Sequence, residues 1–325
     1  MHVPNIVSIL PVALVTLTAP VFGQVGLTGP VPDVGRSARA TYLVTEQSFT
    51  PESEILWDGF LTGLEGFEHF YEPIGSPYYF EDPFIDTEIK FVYIHHQFPN
   101  NGITNGGELD VAALQIRVAL TDRLAFIATQ DGYAWLDLNE NAPEQEGWVD
   151  VAAGFKYAAV IDHENDFLLT FGLRYKFDSG SDDVLQSGVQ ELSPFLTFAK
   201  GWDRLHLIGS LTYRVPLDSN DGNEILQWHT HVDYEVVDGI APFLEFHGIH
   251  YTDDAERTPL PIGGVDYSNF GSTDVEGTDV VFMGVGASFK ISPNLEVGAA
   301  YEFSLTNPEV DLFEDRVTVG ATLRW

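Results

Sequence analysis

His229, His231 and Asp233 are spaced two residues apart, and Glu245 and His247 repeat that spacing further along the chain. In an extended strand, side chains two apart share a face. The turn-forming run Val237-Asp238-Gly239 would bring the two groups side by side on neighbouring strands. Imidazole and carboxylate so arranged could hold a metal ion or relay a proton. The candidate metal ligands are His229, His231 and His247. The plainer reading is that the same residues line an interior and hydrogen-bond to one another. His95-His96 is different, because adjacent strand residues point to opposite faces and cannot chelate together.

Other chemistry has little support. A hydrolase needs a nucleophile, a base and an orienting group. There is no Gly-x-Ser-x-Gly turn, no phosphate-binding glycine loop and no His-Glu-x-x-His helix. The chain has no cysteine, so thiolate metal sites and disulfides are excluded. No enzyme activity and no cofactor are expected, with a barrel-embedded hydrolase kept as an alternative.

The basic residues are ordered. Lys90, Arg117, Lys156, Arg174, Lys176, Arg214 and Arg316 fall opposite apolar stripes in alternating segments, and Glu191, Asp233, Glu245 and Glu302 share those polar faces. These are the candidate lumen-lining, solute-selecting residues. One reading is a salt-bridge lattice that fills a narrow interior. The other is a polar channel whose charges select solutes.

The elements that must position these residues are strands. Phe167, Leu169, Phe171, Leu173, Tyr175 and Phe177 alternate with Leu168, Thr170, Gly172, Arg174 and Lys176. Leu205 to Val215, Leu295 to Phe303 and Val317 to Trp325 repeat the pattern. Alternation over segments of about ten residues marks membrane barrels. Twelve such segments are expected, at about 85–97, 108–120, 123–136, 147–160, 167–178, 187–199, 204–215, 224–236, 240–251, 277–290, 295–305 and 315–325. Their connections alternate between short turns and long loops. The expected fold is all-β: an antiparallel up-and-down transmembrane β-barrel of about twelve strands, with a small N-terminal extension. A soluble sandwich or lipocalin-like barrel would also alternate, with the apolar face inward. Here the polar faces are rich in Gly, Ala, Ser and Thr and would make a poor core.

Before the strands, Ile6 to Ala19 is apolar, and Val21-Phe22-Gly23 offers small residues for a signal peptidase. Residues 1–23 are expected to be a cleavable signal peptide, 24–84 an extension that is periplasmic or plug-like, and 85–325 the barrel. Within the extension, Ile55, Leu56, Phe60, Leu64, Phe67 and Tyr71 predict an amphipathic helix over about 52–71, against the helix-weakening Gly59, Gly63 and Gly66. After the signal segment, no apolar run is long enough for a spanning helix.

The formal net charge is −34, from 49 acids and 15 bases, which disfavours nucleic acid as a partner. Many acids fall in the long loops: Asp182, Asp183, Asp218, Asp221, Asp253, Asp254, Glu256 and others. They form a solvated surface or bind divalent cations. Trp135, Trp148, Trp202, Trp228 and Trp325 fall at or near predicted strand ends, as in interfacial belts. The expected partners are outer-membrane lipids and the barrel assembly machinery.

Export signal, extension, twelve alternating segments and an aromatic last residue together resemble bacterial outer-membrane barrel proteins. Arg316-Val317-Thr318-Val319-Gly320-Ala321-Thr322-Leu323-Arg324-Trp325 looks like the strand such proteins present for assembly, although Trp stands where Phe is commoner. Over residues 85–325 the layout is loosely similar to transporter-type barrels for aromatic-compound uptake. That resemblance implies passive passage of small solutes through a narrow channel. The alternative is a structural or surface-binding barrel with a closed, salt-bridged lumen.

Overall fold

The computed structural model describes residues 58–139, 143–186, 188–307 and 312–325. The expected signal segment and residues 24–57 lie outside the described residues. The strands are β1 (Glu88–Gln97), β2 (Glu108–Ala119), β3 (Leu124–Gln130), β4 (Tyr133–Asp137), β5 (Gln145–Trp148), β6 (Ala152–Asp162) and β7 (Phe167–Lys176). They continue as β8 (Glu191–Trp202), β9 (Leu205–Pro216), β10 (Glu224–Tyr234), β11 (Ile240–Asp253), β12 (Asp279–Ser292), β13 (Leu295–Ser304) and β14 (Asp315–Arg324). Among the described residues, all strand–strand pairings are antiparallel. β1 pairs with β2 and also with β14, in register from Glu88↔Arg324 to Gln97↔Asp315, which closes the barrel.

Among the described residues, fourteen strands make twelve staves. β3 and β4 both pair with β2, and β6 and β5 continue the next stave beside them. The expected single strand over 123–136 is therefore interrupted at Asp131-Gly132. Gly132 has φ of +131°, and a Cβ there would lie 2.8 Å from the Ala112 carbonyl oxygen. Only glycine fits that break.

The alternating pattern sets the two faces. On β7, Phe171 and Leu173 are 50% and 48% exposed, while Leu168, Thr170, Arg174 and Lys176 are buried. Large apolar residues point outward all around the wall, among them Phe91, Leu114, Phe155, Leu196, Leu211, Leu244 and Val319. Such a girdle suits hydrocarbon, where water would make it an association surface. Trp135, Trp148, Trp202, Trp228 and Trp325 are exposed on the same outer face.

The short connections between β2 and β3, β6 and β7, β8 and β9, β10 and β11, and β12 and β13 share one rim. β1 begins and β14 ends at that rim. The long connections lie at the other.

The predicted helix over 52–71 is not formed among its described residues, 58–71, which run as turns and irregular chain. Gly59, Gly63 and Gly66 adopt φ of +74°, +94° and +103°. These left-handed steps break the helical path and lay the chain against the rim instead.

Candidate functional site

Residues 58–87 enter the barrel from the short-turn rim. The Asp122 amide donates to the Asp58 carbonyl and the Leu61 amide to the Ala119 carbonyl, which ties the segment to the β2–β3 turn. From Tyr71 to Ile85 nearly every residue is buried inside the barrel. The segment climbs to a tip around Ser76-Pro77-Tyr78 and returns to β1. Pro73, Pro77 and Pro83 deny it a helix, so its backbone amides need other acceptors.

The wall supplies them. Glu72 N–H donates to Glu296 at 3.0 Å, Ile74 and Gly75 N–H to Glu245 at 2.9 and 2.7 Å, and Ser76 N–H to Glu302 at 3.2 Å. Bases on the wall from β14 through β1 and β2 to β6 take the plug's carboxylates. Arg117 grips Glu81 with two nitrogens at 2.8 and 3.1 Å, and Lys156 adds a contact at 2.8 Å. Lys156 also holds Asp82 at 3.0 Å, and Lys90 holds Glu72 at 3.2 Å. Arg324 pairs with Glu72 as well. Arg174 donates to the Tyr78 carbonyl oxygen and sits over the rings of Tyr79 and Phe195. Burial alone would push the Glu81 carboxyl up, but Arg117 and Lys156 outweigh it and hold it well below the ordinary carboxylate value.

A loop from the long-loop rim folds in to meet the plug. Asp266, between β11 and β12, forms a fork with Arg316 at 2.8 and 2.7 Å and accepts from Ser76 Oγ at 2.8 Å. Burial opposes charge there too, and Arg316 again overrides it and holds the carboxyl low. Nearby, Arg214 grips Glu191 at 2.9 Å through two nitrogens, and Asn269 donates to the same carboxylate at 2.8 Å. The space left beneath the loop, lined by Tyr78, Ile94, Val111, Tyr267 and Arg316 among others, is about 30 Å³. That is room for about two waters.

Lys90, Arg117, Lys156, Arg174, Lys176, Arg214, Glu191, Asp233, Glu245, Glu302 and Arg316 all face the lumen and are at most 4% exposed. The histidines are brought together as their spacing implied. His229 Nδ1 lies 3.0 Å from His247 Nδ1, and His231 sits between Asp233 and Glu245 at 3.3 and 2.8 Å. Among the described residues, no three His, Asp or Glu side chains are arranged to hold a metal ion. His231 is held by carboxylates on both sides, and Glu245 is also taken by the plug's amides.

The residues missed from sequence are Glu72, Glu81, Asp82 and Asp266. A signal was present for the first three. The run Phe67 to Ile85 is dense in aromatics yet holds four carboxylates, Glu68, Glu72, Glu81 and Asp82, among three prolines. That is too apolar for a solvated linker. Asp266 lies in an acidic loop and carried no distinguishing mark.

No family model matches the chain, and no curated protein matches it. The chain is similar in structure to the COG4313 outer membrane channel from Pseudomonas putida F1, with a TM-score of 0.56 and 12% identity. That match covers 79% of this chain and 100% of that one. The KdgM porin (TM-score 0.44, 14% identity, covering 73% of this chain and 99% of that one) and a Pseudomonas aeruginosa FadL homologue (0.41, 12%, 82% and 98%) are more distant. The wall geometry and the first of these likenesses agree: this chain has the fold of a twelve-stranded outer-membrane β-barrel.

Proposed function

We propose that this protein is a passive channel for small solutes in a bacterial outer membrane, seen here with its lumen closed by a removable plug. The observation that carries it is how the plug is held. Residues 71–85 meet the wall through carboxylates, backbone amides and ion pairs, and the wall behind them is polar and charged. A barrel filled for stability alone would be packed by its own wall side chains. A plug held by polar contacts can exchange them for water when it moves, which leaves a hydrated, charge-lined path.

The competing reading is a structural barrel closed for good. The double closure by plug and loop favours it, since the space beneath the loop is only about 30 Å³. Conductance across planar bilayers separates the two. The expected result is rare openings for the wild-type protein and frequent openings for the double variant Glu81→Gln with Asp82→Asn. Silence from both, at every voltage and salt concentration, leaves the structural barrel standing.

A further inference from the structure

We infer that Arg117 and Lys156 form a carboxylate-binding site on the lumen wall, that Glu81 and Asp82 of the plug occupy it in the closed state, and that small organic acids compete for it in the open one. This rests on the channel reading and names the solute class.

The site is built, not incidental. Arg117 on β2 and Lys156 on β6 are two staves apart, separated by β3. The residue paired with Lys156 across that stave is Ala125, and its small side chain leaves the lumen side open for both cations to converge. They do converge, on one oxygen: Glu81 Oε1 lies 2.8 Å from Arg117 Nε and 2.8 Å from Lys156 Nζ. The second Glu81 oxygen takes Arg117 Nη2 at 3.1 Å. This fork is the geometry by which arginine reads a carboxylate. Asp82 adds a second carboxylate, 3.0 Å from Lys156 Nζ and 3.4 Å from Arg117 Nε. Arg117 and Lys156 are 2% and 0% exposed at the side chain, so little solvent screens them.

The occupants belong to a segment that must leave for solutes to pass. Once it leaves, the wall supplies only part of the counter-charge. Glu88 remains 2.8 Å from Arg117, but Lys156 has no wall carboxylate among its ion pairs with the described residues. In the hydrated open lumen the Lys156 ammonium is left with water in place of Glu81 and Asp82, and an entering carboxylate replaces that water with a charge-assisted hydrogen bond. Two carboxylates held on adjacent residues make a short dicarboxylate the closest chemical match to what the plug presents. Such a solute therefore does two things: it occupies the site and keeps the plug's carboxylates from returning.

The test compares succinate with its neutral diamide, succinamide, for passage into proteoliposomes. In the Glu81→Gln, Asp82→Asn background, succinate is expected to enter roughly tenfold faster than succinamide or better, the scale of a charged hydrogen bond. Adding Lys156→Gln to that background should bring the two rates together by slowing succinate alone. Arg117→Lys, which keeps the charge but loses the fork, should retain part of the preference and guards against loss of folding. In the wild-type protein, succinate should raise the open probability with saturation, and succinamide should not. Equal entry of the two solutes through an open variant, or a preference that survives Lys156→Gln, overturns the site while leaving the channel. No passage of either solute through any variant sinks the channel and the site together.

Discussion

Gly75 shows how closely the plug tip is fitted. A Cβ on it would lie 2.5 Å from Glu245 Oε2, 2.8 Å from His247 Nε2 and 2.9 Å from Glu302 Oε1. Gly75→Ala should therefore displace Glu245 from the two plug amides it accepts, each a charge-assisted bond worth about 1.5–3 kcal/mol. Protease cleavage within residues 67–85 should rise in the folded protein, while the barrel itself stays intact. Unchanged protection would mean the tip is looser than its contacts imply. Asp266 is the matching residue on the loop. Asp266→Asn leaves Arg316 with its next carboxylate, Glu302, only at 3.9 Å. Breaking one partner of a buried pair is costly by about 3–5 kcal/mol. Conductance traces should then show the loop and plug opening more often.

At the scale of elements, each stave has two faces with opposite solvents. Leu211 is 46% exposed near the middle of β9, and its neighbour Thr212 faces the lumen with no exposure. Leu211→Arg should destabilise the barrel by about 2–4 kcal/mol in lipid. Urea unfolding in liposomes checks this, with the conservative Leu211→Ile as control. An arginine tolerated there without loss would contradict the lipid-facing assignment. The elements also show where sequence reading succeeded. All twelve predicted alternating segments are staves, because a period of two is written locally in residues such as Phe171 and Arg174. The helix over 52–71 failed on its described part because three glycines took positive φ, a choice set by contacts with the rim.

For the whole molecule, closure couples the plug to the wall and to the loop. Its pH dependence follows from the plug and loop carboxylates. Glu81, facing Arg117, Lys156 and Asp82, and Asp266, facing Arg316, Ser76 and His96, are both held below their ordinary values in the closed state. Ordinary values for released Glu and Asp are about 4.3 and 3.9. A depressed value stabilises the closed state fully above that range, and the stabilisation is lost as pH falls through it and below. Open probability should accordingly climb as the solution is acidified below about pH 5. With Glu81→Gln and Asp266→Asn combined, the acid limb should flatten. A wild-type channel that closes on acidification would show that other groups dominate.

The sequence by itself determined the wall. Alternation, turn positions and the inward charges of Lys90, Arg117, Lys156 and Glu245 are local patterns, and a barrel built on them has one sensible inside. It also brought His229, His231 and His247 together, since strand neighbours follow from a tight turn. Only the tertiary structure decided what fills that inside. Whether residues 67–85 lie outside the lumen or within it depends on contacts between Glu81 and Arg117, or Gly75 and Glu245, that are far apart in sequence. No periodicity records such pairs. They exist because buried amides and carboxylates must find partners, and the partners available were on the wall.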